Sequence, residues 1–314
     1  MQGNNPRSTI GPDLNEFSQN VNFTLLDKSV DFIYLRASGS ASGSFRVDKK
    51  FMEFARQCRG IGKPCGAYHF AMPYSNLETA DEQCDKFIET LYQAFGEGDC
   101  GDLFPVLDIE RPAEGTMSNE TLVAWIQRFV DRFHQKTRRR MMLYFGYFYL
   151  RGFNGLFVQG KGYPLSKIPL WIALYHMQGN PVTPPDIGGW DRWMLWQFTS
   201  RGQISGVDNP VDLNWGPDSL DELMPPPNVQ GLRVSMSQDK IYANWAPVNA
   251  TDLWGYNLFV NSYYAGTTTE KQTSFVIDKS KFYLPKGRDI IVGIEAFDKY
   301  GDVSRQRSTR IIEN

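Results

Sequence analysis

The chain has 314 residues, of which 41% are hydrophobic and 14% aromatic, enough for a sizeable core and inconsistent with a disordered protein. With 33 Lys and Arg against 35 Asp and Glu the net charge is −2, so the basic field that nucleic acid requires is missing. No run of roughly 18 apolar residues is present, which excludes a membrane-spanning helix and argues against membrane insertion.

The chain opens with "MQGNNPRSTIGPDL", which lacks the apolar stretch of a secretory leader. This points to a protein made in a cytoplasm that does not leave by the standard secretion route. Residues 10–215 then alternate short apolar runs with longer amphipathic stretches. The strand-like runs are 9–14, 31–37, 63–70, 103–110, 140–145, 169–175, 193–198 and 210–215. Helical spacing is clear over 48–60, 76–95 and 118–136, with Ser118 as the N-cap of the last. Later connections are rich in Gly and Pro. Eight strands with intervening helices or loops in about 210 residues predict an irregular (β/α)8-like barrel. The basic cluster Lys136, Arg138, Arg139 and Arg140 reads as a solvated turn.

Cys58, Cys65, Cys84 and Cys100 match no zinc spacing, and His69, His134 and His176 are the only histidines. Free thiols are the expectation, with no metal and no cofactor. Residues 1–222 are thus assigned to the barrel and 223–228 to a linker stiffened by Pro225, Pro226 and Pro227. Residues 229–314 hold strand-like runs only, separated by turn residues, and predict a small all-β sandwich.

Two carboxylates stand out in "FPVLDIE". Side chains alternate along a strand, so Asp108 and Glu110 share one face, roughly 6–7 Å apart along it. In a β/α barrel they would emerge at the mouth, where chemistry sits. Asp13 ends the first strand-like run and Asp212 lies in the last, so four acids meet at one rim. Crowded carboxylates raise one another's pKa, and a carboxylic acid still protonated near neutral pH suits glycosidic cleavage. A carboxylate site for Mg²⁺ or Ca²⁺ is another reading of the same residues, and it predicts loss of activity with EDTA.

Residues 10–215 resemble the family-25 glycoside hydrolases, bacterial and phage muramidases with an irregular β/α barrel. The matching stretches, in order, are "GPDLNEFSQNVNF", "VDFIYLRAS", "GIGKPCGAYHF", "FPVLDIE", "PLWIALY" and "WMLWQFTSRGQISGVDNPVDLNWG". The resemblance implies peptidoglycan as the partner and cleavage of the β-1,4 bond between N-acetylmuramic acid and N-acetylglucosamine. It makes Glu110 the general acid. Asp108 would orient the 2-acetamido group or stabilise the charged intermediate, with Asp13 and Asp212 shaping the field. Arg36, Tyr68, His69, Trp171, Tyr175 and Gln197 would line the sugar groove, since pyranose C–H faces pack on aromatic rings. One departure is the loop "RASGSASGSFRVD", which carries no acid before Asp48 where family members have an acidic loop. The tail resembles a fibronectin type III module, with Trp245 as the core tryptophan and Ile290 in place of the usual corner tyrosine. Its exposed Tyr263 and Tyr264 would suit polysaccharide or protein docking, including to virion or tail proteins. Without a leader, a wall hydrolase would reach its substrate through holin pores as an endolysin, or within a phage particle. A non-catalytic wall-binding or virion structural protein on a degenerate barrel is the alternative, but such a copy would be expected to have lost one of the four acids.

Overall fold

The alternating apolar runs of the first two thirds of the chain close into a barrel. The computed structural model describes residues 5–40, 43–208 and 210–313, in two units, Met1–Leu223 and Met224–Asn314. The first unit contains β1 (Thr9–Leu14), β2 (Ile33–Gly39), a two-residue β3 (Arg46–Val47), β4 (Cys65–Phe70), β5 (Val106–Asp108), β6 (Met142–Gly146), β7 (Leu170–Ala173), β8 (Leu195–Gly202) and β9 (Val211–Gly216). Among the described residues eight strands form the ring β1-β2-β4-β5-β6-β7-β8-β9, closed by pairing of β9 with β1, while β3 hangs on β2.

The last strand departs from a parallel (β/α)8 barrel: β9 runs antiparallel to both β8 and β1. Only residues 203–210 connect β8 to β9. A parallel return needs a crossover of a dozen or more residues, so this connection can only turn the chain back. The reversal brings the start of β9, with Asp212, to the rim where the other strands end.

Three long helices cover the outside: α2 (Phe51–Ile61), α3 (Glu78–Phe95) and α4 (Asn119–Thr137), after a short α1 (Phe23–Asp27). Their apolar stripes are the buried ones; in α4 these are Leu122, Val123, Trp125, Ile126, Phe129, Val130 and Phe133. Ser118 caps α4, its Oγ accepting from the Thr121 N–H at 3.2 Å. Gly62 ends α2 in the left-handed region (φ 69°), with its N–H and that of Lys63 returning to the last carbonyls, the geometry only glycine adopts cheaply. After β6 the helical cover thins to α5 (Tyr147–Gly152), and among the described residues no helix separates β7 from β8 or β8 from β9.

Large rings fill the barrel. Phe32, Tyr34, Phe104 and Trp171 are fully buried, with Tyr34 and Trp171 ring centroids 4.8 Å apart and the Tyr34 hydroxyl donating to the Phe104 carbonyl. Arg139 is not in a solvated turn. It is buried and donates to the carbonyls of Gly101 and Leu103, pinning the approach to β5. The four cysteines are free and buried. Leu223, placed in the linker from sequence, belongs to the barrel unit: it is fully buried and its carbonyl accepts from the Phe104 N–H at 2.8 Å.

The second unit has two sheets among its described residues. One holds β10 (Arg233–Met236), β11 (Lys240–Asn244) and β14 (Ser274–Asp278). The other holds β12 (Leu253–Val260), β13 (Tyr263–Thr269), β15 (Ile290–Asp298) and β16 (Ser308–Ile312). Alternate residues such as Ile241, Ala243, Tyr256, Leu258, Val292 and Ile294 build a core that also takes in Trp245 and Ile290. Tyr263 and Tyr264 are exposed.

Candidate active site

Strand direction decides what reaches the mouth. On β5 the residues alternate, so Leu107 and Ile109 pack outward against the helices while Asp108 turns inward. Asp13 near the end of β1, Tyr68 and Phe70 on β4, Tyr144 on β6, Trp171 on β7 and Gln197 on β8 face the same space. Together with Asn15, Arg36, Glu110, Tyr175 and Asp212 they line one cavity of about 170 Å³. This is below the roughly 300–1,000 Å³ of pockets for drug-sized ligands, so it suits one sugar ring, with the rest of a chain lying across the rim.

Of the ten residues expected from sequence, His69 alone does not line the cavity. Its neighbour Tyr68 points inward, so His69 must point outward into the helical layer. There it is fully buried, hydrogen-bonded to Ser38 Oγ (2.9 Å) and Gln83 Oε1 (3.1 Å) and stacked on Phe129. Burial depresses its pKa to about 4, which keeps the ring neutral. It supports the wall from its outer side.

A hydrogen-bond network fixes the floor. Gln197 Oε1 accepts from the hydroxyls of Tyr144 and Tyr175, each at 2.9 Å. That leaves Gln197 Nε2 to donate to Asp13 Oδ2 at 2.9 Å. The same oxygen accepts from Asn214 Nδ2 at 2.9 Å, and Asn214 Oδ1 accepts from Trp171 Nε1 at 2.8 Å. Asp13 is therefore oriented by two amides that are themselves held by ring hydroxyls and an indole.

The acids press on one another. Asp13 and Asp212 are direct cross-strand partners, a position where like charges oppose folding. Burial first, then Asp13 and Glu110, pushes Asp212 up to about 8. Burial also raises Asp13 itself, against the two amide donors. Asp108 is 5% exposed, its Oδ1 has no hydrogen-bond partner, and burial with the charges of Glu110 and Asp13 raises it well above the carboxylate range. Glu110, one residue past Ile109 at the lip, is the acid open to solvent. Lost hydration among the cavity walls and the charge of Asp13 push it up, with Arg111 opposing.

Arg36 is anchored from behind. Its Nε donates to Asp48 Oδ2 at 2.8 Å and its Nη2 to Glu16 Oε1 at 3.1 Å. Glu16 also pairs with Arg46, which draws its pKa down to about 2. Asp48, the first acid after the long loop, thus serves the site as a buried anchor. Sequence reasoning missed Asn15, Phe70, Tyr144 and Asn214. Alternation along two strands was the available signal: Phe70 shares the face of Tyr68, and Asn214 the face of Asp212.

Among the described residues no group of His, Cys, Asp and Glu has the geometry to hold a metal ion. The cavity's means are carboxyl groups of staggered acidity, aromatic walls and one anchored cation.

The model of the family described as Glycosyl hydrolases family 25 matches residues 12–207. Lysozyme M1 of Streptomyces globisporus is 28% identical over 223 residues, 66% of this chain and 70% of that protein. The N,O-diacetylmuramidase of Chalaropsis sp is 30% identical over 221 residues, 68% of this chain and 97% of that protein. The crystal structure of the Clostridium perfringens spore cortex lytic enzyme SleM matches 100% of both chains at 57% identity, with a TM-score of 0.94. The lysozyme from Streptomyces coelicolor matches 69% of this chain and 95% of its own at 23% identity, with a TM-score of 0.53, a likeness of fold alone. With its barrel matched along nearly its whole length, the chain belongs to the glycosyl hydrolases of family 25.

Proposed function

We propose that the protein is an N-acetylmuramidase that cuts the β-1,4 bond between N-acetylmuramic acid and N-acetylglucosamine in peptidoglycan. The observation that carries this reading is the pair on the β5 exit: a solvent-open Glu110 with a raised pKa beside a buried Asp108 whose Oδ1 lacks a donor. Glu110 donates its proton to the glycosidic oxygen as the bond to the anomeric carbon breaks. Asp108 Oδ1 accepts the N–H of the substrate's 2-acetamido group, which orients that group beside the developing oxocarbenium ion. Glu110, now a carboxylate, takes the proton of the incoming water. Tyr68 and Tyr175 supply ring faces for the sugar, with the buried Trp171 beneath them holding Asn214.

Replacing Glu110 with Gln keeps the size and removes the proton. Turnover on purified peptidoglycan should fall about 10²–10⁴-fold, with the melting temperature little changed. Asp212, pushed up to about 8, is protonated at neutral pH and is the rival donor. If Asp212→Asn loses more turnover than Glu110→Gln, the donor is Asp212.

For the setting, the likeness to a spore cortex lytic enzyme along the full chain supports cortex peptidoglycan as the substrate. The phage-particle and holin-release settings draw no support from these likenesses. Detection of the protein in spore extracts, against its presence in purified virions, tests the two. We read the second unit as a fibronectin type III-like module, on its three- and four-stranded sheets around Trp245.

A further inference from the structure

A second cavity, of about 740 Å³, opens beside the first on the same rim, between the loop after β2 and the N-terminal half of α3. Its walls include Ser40, Phe45, Tyr74, Asn76, Glu82 and Lys86. The two cavities share strand ends. The Ser40 N–H donates to the Phe70 carbonyl at 2.9 Å, and Phe70 lines the catalytic cavity. Phe70 is also the register partner of Gly39 on one side and Asp108 on the other. Ser40 therefore lies about two strand spacings, roughly 10 Å, from Asp108.

Ser40 marks this cavity as a site. The residue is 3% exposed and its Oγ has no hydrogen-bond partner. A buried hydroxyl without a partner is costly, and a ligand in the cavity it lines would complete it. The other walls suit a neutral, amide-bearing ring. Tyr74 offers exposed aromatic surface, while Phe45 is stacked on His69 and faced by Lys86 and so closes the inner wall. Asn76 uses its Oδ1 to accept from the Glu78 N–H, leaving its Nδ2 to donate. Glu82 and Lys86, one turn apart on α3, cancel in charge, so an anionic peptide stem gains nothing here. Ser40, Gly43, Ser44 and Phe45 supply one wall.

We propose that this cavity is an accessory subsite that holds an N-acetylated sugar of the same glycan strand, away from the scissile bond. The inference rests on the glycan-cleaving reading of the neighbouring site. The experiment uses peptide-free glycan strands of purified peptidoglycan and a tetrasaccharide prepared from them. Ser40→Ala and Tyr74→Ala should each raise KM for long strands about three- to tenfold, with kcat within twofold and tetrasaccharide cleavage unchanged. Deleting a buried, unpartnered hydroxyl should leave the melting temperature equal or higher, which separates a lost ligand contact from structural damage. Unchanged KM on long strands, or equal losses on both substrates, would overturn the subsite. Calorimetry of long strands binding to Glu110→Gln, with and without Ser40→Ala, reads the same contact without turnover. Equal affinities there would overturn it too. A wild-type protein that releases no reducing ends would instead reject the muramidase reading.

Discussion

Asp13 sits at the centre of the acid cluster, two amides holding one of its oxygens while its charge bears on Asp212, Asp108 and Glu110. Glu110 is raised first by lost hydration among the cavity walls and then by Asp13, and as proton donor it must be protonated to work. Rate should therefore fall as pH rises through its pKa. Asp13→Asn removes one raising charge, so the alkaline limb of the kcat/KM profile should move to lower pH; a limb that stays put or moves up would contradict the coupling. The four acids were legible before the structure because alternation and the rim rule together place them. His69 was misplaced because the motif it belongs to outweighed alternation: Tyr68 and His69 are adjacent and cannot both face inward. Ser40, in a loop without periodicity, left no trace in the sequence that a cavity stood beside it.

At the scale of elements, helix and strand existence followed apolar spacing closely, as α4 and its Ser118 cap show. Strand direction did not, since β9 reads the same either way and only the short 203–210 connection betrays it. Gly66 on β4 tests the barrel filling. A Cβ there would stand 2.3 Å from Tyr34 Cε1 and 2.9 Å from Leu103 Cβ, so Gly66→Ala should cost about 1–3 kcal/mol in a urea melt. An unchanged midpoint would mean the rings can yield.

In the second unit, burial and the charges of Asp302 and Asp252 push Asp298 at the end of β15 up to about 7, above its ordinary 3.8. The folded state therefore binds a proton that the unfolded chain releases above pH 4. Stability from this group is full below about pH 4 and is lost as pH rises through about 7. Asp298→Asn keeps the Oδ1 that accepts from the Tyr300 and Asp302 N–H groups. It should stabilise the protein by on the order of 2 kcal/mol at pH 8 and by little at pH 4, measured by denaturant titration at both. Equal effects at the two pH values would count against a buried proton.

Across the whole molecule, the shift from mixed to all-strand patterning at the proline run marked two units, while the join itself needed coordinates. Leu223 closes the floor below β5, and Arg192 reaches Glu222 at 3.2 Å. A chain ending at Pro226 should fold and cleave soluble glycan strands. One ending at Asp221 loses the buried leucine and the Phe104 hydrogen bond, and should be less stable by about 2–4 kcal/mol. Matching melts for the two truncations would place the boundary elsewhere.

A digest of purified peptidoglycan that identifies the sugar at each new reducing end tests the proposed cleavage most directly. Wild-type protein should release ends that carry N-acetylmuramic acid, and Glu110→Gln almost none. New ends carrying N-acetylglucosamine, released peptides without new reducing ends, or full activity in Glu110→Gln would contradict the account.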